Sequence, residues 1–207
     1  MTESHWTTTT TTQFDGERYG IGLPWKSTSI KLPCNRELSL KRFFTNERRI
    51  MKGSHTARKY EETICQYVRD GHAKKIASGD GGTMGRVWYL PRHAVWNSKR
   101  KMLRVVYDAS AKQQGTSLNQ CLLKGPDYLT NFCGVLLCFR QKKIPISADV
   151  ERMYHQVRVK REDRSALRFL WRSSGSALLP ETYEMHVHVF GGGLVAVSVC
   201  MPCDEQP

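Results

Sequence analysis

The sequence has almost no stretch that a lipid bilayer would accept. Only residues 185–203 combine an apolar bias with a complete lack of charged side chains. This stretch contains His186, His188, three glycines and Pro202, which argue against a membrane-spanning helix. No apolar run follows Met1, so the N-terminal residues do not look like a signal peptide. We therefore predict a cytoplasmic or nuclear protein that is not secreted and has no membrane partner.

Cysteines at metal-ligand spacing are also scarce. The chain has 7 cysteines, an odd number, and they are scattered along the sequence. Cys200 and Cys203 form a single Cys-x-x-Cys pair, for which the alternatives are a zinc or redox site and a plain thiol pair. We favour the thiol pair, because no second pair and no histidine stands at ligand spacing. Reduced thiols are typical of an intracellular protein.

Acidic residues are few as well, since 19 Asp and Glu stand against 32 Lys and Arg and leave a net charge of +13. Residues 36–104 hold 17 of the basic and only 6 of the acidic residues, so 17 minus 6 gives an excess of 11 in one third of the chain. Such a concentration predicts a surface that faces phosphate groups, with nucleic acid as the partner. The alternative is an ordinary basic helix face in water.

The length of 207 residues suits one medium domain or part of a larger one. A run of threonines at residues 7–12 predicts a disordered leader over residues 1–17. After it, Leu23 and Trp25 can dock on a core. Helices are predicted over residues 36–49, with Asn35 as the cap, and over residues 55–70.

The second half of the chain reads as strands and one further helix. Residues 87–96 and 102–107 predict a hairpin joined by a basic turn, and four glycines predict a loop over residues 78–85. Pro126 and Asp127 open a predicted helix. Its apolar residues are spaced as one buried stripe: Leu129, Phe132, Leu136 and Phe139.

Strand patterns follow this helix. Residues 144–148 predict a short buried strand, the alternation around Val157 and Val159 predicts another, and residues 167–171 predict a third. Helices, hairpin, helix and then sheet indicate the α+β class.

Asp149 is the first candidate for chemistry. It follows the predicted strand directly, and a carboxylate at a strand exit is how polymerases hold Mg²⁺ against a triphosphate. The alternative is that Asp149 caps a helix. Arg104 is the second candidate, because a guanidinium on a basic hairpin can bind phosphate oxygens in a bidentate way. Asp108 is placed to orient it, although Arg104 also fits an ordinary surface ion pair.

Several blocks of the sequence, taken together, resemble one known family. From about Arg18 to Gly191 the chain is similar to the reverse transcriptase region of BEL/Pao-type retrotransposon polyproteins. The matching blocks keep the family's order and approximate spacing: Gly22-Leu23-Pro24-Trp25-Lys26, Leu32-Pro33, Asn35-Arg36-Glu37-Leu38, Val87-Trp88-Tyr89-Leu90-Pro91-Arg92-His93-Ala94-Val95, residues 103–112, Ser117-Leu118-Asn119, Gly125-Pro126 and residues 148–157.

The resemblance implies a right-hand polymerase fold, of which this chain holds the fingers and the start of the palm. It implies that Asp149 and the carbonyl of Val150 hold two Mg²⁺ ions, and that Arg104 grips the incoming deoxynucleotide triphosphate. Tyr154 would lie under the sugar and exclude a 2′-hydroxyl, unless it merely packs behind the strand. The implied partners are an RNA template with a DNA primer, or an RNA–DNA hybrid.

The resemblance ends at Phe190 and Gly191, which match the start of the family's nucleotide-pocket segment. Residues 192–207 diverge, as expected of a truncated, misspliced or frameshifted copy. No Asp-Asp pair occurs in the sequence. Since one aspartate cannot hold two divalent ions against their hydration, we predict a reverse transcriptase fragment that is inactive alone. The alternatives are a non-catalytic nucleic-acid-binding module derived from a retroelement and a fragment that does not fold stably.

Overall fold

The computed structural model describes residues 12–97, 102–124, 131–141 and 143–189. In this part of the chain, short helices combine with small sheets, in agreement with the predicted α+β class. No helix among these residues is long and apolar enough to cross a membrane. Residues 98–101, 125–130, 142 and both ends of the chain lie outside the described residues, and with them Leu129.

Two helices carry much of the basic segment, close to where the periodicity predicts them. Helix α1 spans Arg36–Ile50 and helix α2 spans Ser54–Arg69. Tyr60 and Ile64 on α2 are buried. Gly71 follows α2 with a φ of +70°, the left-handed conformation that commonly ends a helix.

Asn35 stands at the start of α1 but does not cap it with its side chain. Its amide instead makes two hydrogen bonds to the backbone of Tyr89: Nδ2 donates to the carbonyl at 2.7 Å, and Oδ1 accepts from the N–H at 2.8 Å. Asn35 is almost fully buried. The residue therefore joins α1 to the segment before the hairpin, a role that the sequence pattern did not predict.

The predicted hairpin is confirmed, with a shorter first strand. Strand β4 (Arg92–Asn97) pairs antiparallel with β5 (Met102–Tyr107). The segment before Arg92 leaves the hairpin, because the N–H groups of Trp88 and Leu90 donate to the carbonyls of Ser165 and Arg168 instead. Trp88 is fully buried there.

Two three-stranded sheets complete the described body. One has the order β1 (Thr12–Phe14), β2 (Tyr19–Ile21) and β6 (Arg158–Val159). The other has the order β3 (Ala73–Lys75), β8 (Glu181–Met185) and β7 (Arg168–Trp171). Strand β1 lies inside the segment predicted as a disordered leader. The alternation around β6 is confirmed, since Val157 and Val159 are buried.

The core lies between the helices, the hairpin and these sheets. Leu23 and Trp25 dock into it as predicted, and Phe169 of β7 is fully buried there. The glycine loop is confirmed and is held by Arg168, whose Nη2 lies 3.0 Å from Asp80 Oδ1. A Cβ at Gly82 would stand 2.6 Å from that same nitrogen, and the φ of +63° at this position also favours glycine.

Two predictions for the middle of the chain are wrong. Helix α4 (Phe132–Arg140) forms, but it buries none of its residues, and Phe132 is 72% exposed. Residues 144–148 form no strand and are exposed, with Ile146 at 83% exposed. The apolar pattern is present, yet no described element packs against it or pairs with it, and an unpaired strand lacks its hydrogen-bond partners. The short helix α3 (Leu118–Cys121) does form, with Ser117 and Gln120 as a capping box.

Candidate nucleic-acid interface

Arg104 lies on the outer face of the hairpin. Along β5 its neighbours Leu103 and Val105 are buried and Arg104 is exposed, as strand alternation requires. Val95 stands directly opposite it on β4 and is also exposed. The guanidinium forms no salt bridge with another residue of the described chain. Its charge is therefore available to an anion from solvent.

Asp108 does not orient Arg104, so that prediction is wrong. Its carboxylate pairs with Arg42 of α1 and accepts a hydrogen bond from the N–H of Ser110. Asp108 lies four positions past Arg104 and beyond the end of β5. Four residues of strand span about 13 Å, which is too far for direct contact.

Several other basic residues in residues 36–104 are exposed to solvent, as Arg104 is. None of them forms a salt bridge with a residue that the structure describes, and we call them the basic set: Arg36, Lys41, Arg48, Arg49, Lys52, Arg69, Lys74 and Arg104. Lys41 and Arg48 are seven residues apart on α1, so helical spacing puts these two on one side of the helix.

The acids of residues 36–104 leave this charge uncompensated, because most of them already bind other cations. Glu47 binds Arg172 at 2.7 Å. Asp80 binds the buried Arg168, and Asp70 binds Arg152 at 3.2 Å. Glu62 is shared by Lys59 and Arg58 within α2. The excess of positive charge predicted from the sequence thus remains on the surface.

Asp149 lies in an irregular, exposed segment rather than at the exit of a buried strand. Val150 beside it is 59% exposed. No hydrogen bond or ion pair joins Asp149 to Arg104 or to any other residue within the described ranges. The strand that was to hold this carboxylate in place is absent from those ranges.

The described residues do not fit a two-ion magnesium site. Mg²⁺ needs several oxygen ligands in near-octahedral positions. No group of three His, Cys, Asp or Glu side chains among the described residues is arranged to hold a metal ion. Asp149 and Val150 therefore lack the companions that the resemblance implies.

Tyr154 lies in a 3₁₀ turn, Met153–Gln156, just before β6. Its ring is half-buried and packs against the hydrophobic core. This position agrees with the alternative that Tyr154 packs behind the strand. Part of the ring remains exposed to solvent. Phe190 and Gly191, the remaining predicted nucleotide contacts, lie outside the described residues.

Sequence reasoning missed a buried carboxylate, Asp163, which is only 4% exposed. It accepts hydrogen bonds from the N–H of Leu23 and from Nε1 of Trp25, both at 2.7 Å. Burial raises the pKa of the Asp163 carboxyl, and these two hydrogen bonds and Arg86 act in the opposite direction. No local signal marked it as buried.

Sequence reasoning also missed a buried histidine, His72, which lies beside the partly buried His155. The rings of His72 and His155 lie 4.9 Å apart, and Tyr67 packs edge-on against His155. Burial lowers the pKa of both histidines, to about 4 for His155, where His72 and Arg152 add to the effect. Both rings are therefore neutral at physiological pH.

Comparison with known proteins adds no assignment. Neither the protein-family models nor the curated proteins compared with this chain match it.

Proposed function

We propose that this chain is a fragment of a retrotransposon RNA-directed DNA polymerase, comprising the fingers and the start of the palm of a right hand. In this proposal it binds an RNA template with its DNA primer, or an RNA–DNA hybrid, and does not polymerise by itself. The observation that carries the proposal is the basic set: exposed cations, most of them on α1, α2 and the hairpin, that form no salt bridge with a described acid. The ordered sequence blocks that resemble BEL/Pao reverse transcriptases agree with it.

Phosphate backbones suit such a surface. Cations that already bind carboxylates gain little from a phosphate, since they exchange one anion for another. Cations in water gain a direct contact and release the counterions condensed on the nucleic acid. Arg104 belongs to the second kind, and a guanidinium offers phosphate a planar set of donors.

The binding is tested with a fluorescent RNA–DNA hybrid and the purified chain, by anisotropy at several salt concentrations. We expect log K to fall linearly with log salt, because each neutralised phosphate contributes a slope of about −0.9 in duplex DNA. Arg104→Gln should weaken binding and reduce that slope by about 1.

The matched control is Lys75→Gln. Lys75 is exposed on β3, but its Nζ already lies 2.6 Å from Glu181. Its loss should leave the slope unchanged. Binding without salt dependence, or equal effects of the two variants, would contradict the proposal.

The basic set by itself also supports a second candidate, a non-catalytic nucleic-acid-binding module derived from a retroelement. Here the chain uses the basic set and has no nucleotide pocket. Titration with a deoxynucleotide triphosphate and its ribonucleotide counterpart separates the two. A polymerase fragment should bind the deoxynucleotide more tightly, and Tyr154→Ala should abolish the difference. A binding module should show no preference.

A further inference from the structure

A cavity of about 420 Å³ opens between β6, the residues just before β2, the end of α2 and the residues just after β8. This volume lies in the range of roughly 300–1,000 Å³ that is typical of small-molecule sites. Its charged and polar lining comes from distant parts of the sequence: Glu17, Arg18, Asp70, Arg158, Arg164 and His186. None of these residues belongs to the basic set.

The acids in this lining are already occupied. Glu17 lies 3.5 Å from Nη2 of Arg158, and Asp70 binds Arg152 at 3.2 Å. His186 Nε2 lies 3.2 Å from Oε1 of Glu184, a residue that does not line the cavity. The two carboxylates that face the cavity are thus balanced by neighbouring cations.

Two arginines in the lining are not balanced in this way. Neither Arg18 nor Arg164 forms a salt bridge with a residue of the described chain. Arg164 is half-buried and uses Nε to donate to the carbonyl of Val159 at 3.0 Å, which leaves the outer nitrogens of its guanidinium for a ligand. Burial lowers the pKa of Arg164, as do Arg161 and Arg158, while Glu184 acts in the opposite direction. The site therefore holds a cation that would be stabilised by an added anion.

We infer that this cavity binds a dianionic phosphate group, as free phosphate or as the phosphate of a nucleoside monophosphate. Two unbalanced guanidiniums match a charge of about −1.5 to −2, which a phosphate monoester carries at neutral pH. Arginine's planar set of donors also fits phosphate oxygens. A carboxylate would leave one guanidinium unbalanced. The inference is independent of the proposed function.

The test is calorimetric titration of the full chain with inorganic phosphate, with adenosine monophosphate and with adenosine. Phosphate and the monophosphate should bind saturably, and adenosine should not. A monophosphate that binds more tightly than inorganic phosphate identifies a nucleotide as the source, and equal affinities identify free phosphate. Failure of phosphate and of the monophosphate to bind overturns the inference, as does equal binding of adenosine.

Variants give effects of opposite sign. Arg18→Gln and Arg164→Gln should each weaken phosphate binding about tenfold, the expected cost of one charge-assisted hydrogen bond. Glu17→Gln should strengthen it, because it removes a carboxylate from the lining, and the Glu17 side chain is 79% exposed and so expendable for folding. If Arg164→Gln does not fold, the opposite effects of the other two variants decide the question.

Arg104→Gln is the matched control, because it removes one exposed cation outside the cavity. It should leave phosphate affinity unchanged while it weakens binding of the RNA–DNA hybrid. Equal weakening of phosphate binding by Arg104→Gln and Arg18→Gln would overturn the inference, since it would mean attraction by net charge alone. Loss of hybrid binding with phosphate binding intact would contradict only the proposed function.

Discussion

At the scale of single residues, Asp163 ties the N-terminal segment to the body of the protein. It accepts two hydrogen bonds from that segment, and Arg86 Nη1 lies 3.6 Å from its Oδ1. Gly22 is part of the same arrangement, because a Cβ there would stand 3.1 Å from Oδ2. The Gly-Leu-Pro-Trp block predicted that Leu23 and Trp25 are buried. It could not predict their partner, since a contact over 140 positions leaves no local pattern.

Buried histidines make the stability of the protein depend on pH. Burial lowers the pKa of His188 to about 4, and the pKa of His155 is also lowered to about 4. An unfolded histidine titrates near 6.5, so below that pH the unfolded chain binds protons that the folded chain does not. Folding stability should therefore fall as the pH drops from about 6.5 to about 4, by up to about 3 kcal/mol for each group.

Urea denaturation of the wild type and of His188→Leu at pH 7 and at pH 4 measures this effect. The free energy of unfolding of the variant should fall less on acidification, because its position 188 no longer takes up a proton in the unfolded chain. The difference between the two proteins isolates His188 from the carboxylates that titrate in the same range. Equal losses in both proteins would contradict the assignment.

At the scale of elements, helix α4 presents an apolar face that no described element covers. Leu137 is 68% exposed and Phe132 is 72% exposed, whereas Leu170 on β7 is only 2% exposed. We expect Leu137→Ser to change the free energy of unfolding by less than about 0.5 kcal/mol. Leu170→Ser should cost about 3 kcal/mol or more, since it removes a packed side chain and buries a hydroxyl.

Chemical denaturation of the two variants beside the wild type checks this comparison. A large loss from Leu137→Ser would show that α4 packs against part of the chain in solution.

Elements with local signals were predictable, and elements that depend on distant partners were not. The hairpin was predictable because strand alternation and a basic turn fall within one short segment. Residues 144–148 have an equally apolar sequence, yet a strand needs a neighbour to pair with, and apolarity alone does not supply one. Likewise, Asn35 marked the start of α1, but its hydrogen bonds to Tyr89 join residues 54 positions apart in the sequence. No local pattern predicts such a contact.

At the scale of the whole molecule, the location of positive charge was predictable and its pairing was not. Counting residues placed the excess in residues 36–104. Only the fold shows that Arg92 is buried beside Tyr60 and that Lys75 is neutralised, while Arg104 remains available. The cavity lined by Arg18 and Arg164 could not be predicted, because its walls come from opposite ends of the sequence.

Under the proposed function, the chain binds a template and primer but does not extend the primer. The most direct measurement is primer extension on an RNA template with Mg²⁺ or Mn²⁺, at protein concentrations where anisotropy shows the hybrid to be bound. We expect bound hybrid with no incorporation of deoxynucleotides, because Asp149 has no companion carboxylates in the described chain. Template-dependent synthesis would contradict the account, and so would a hybrid that remains unbound at low salt.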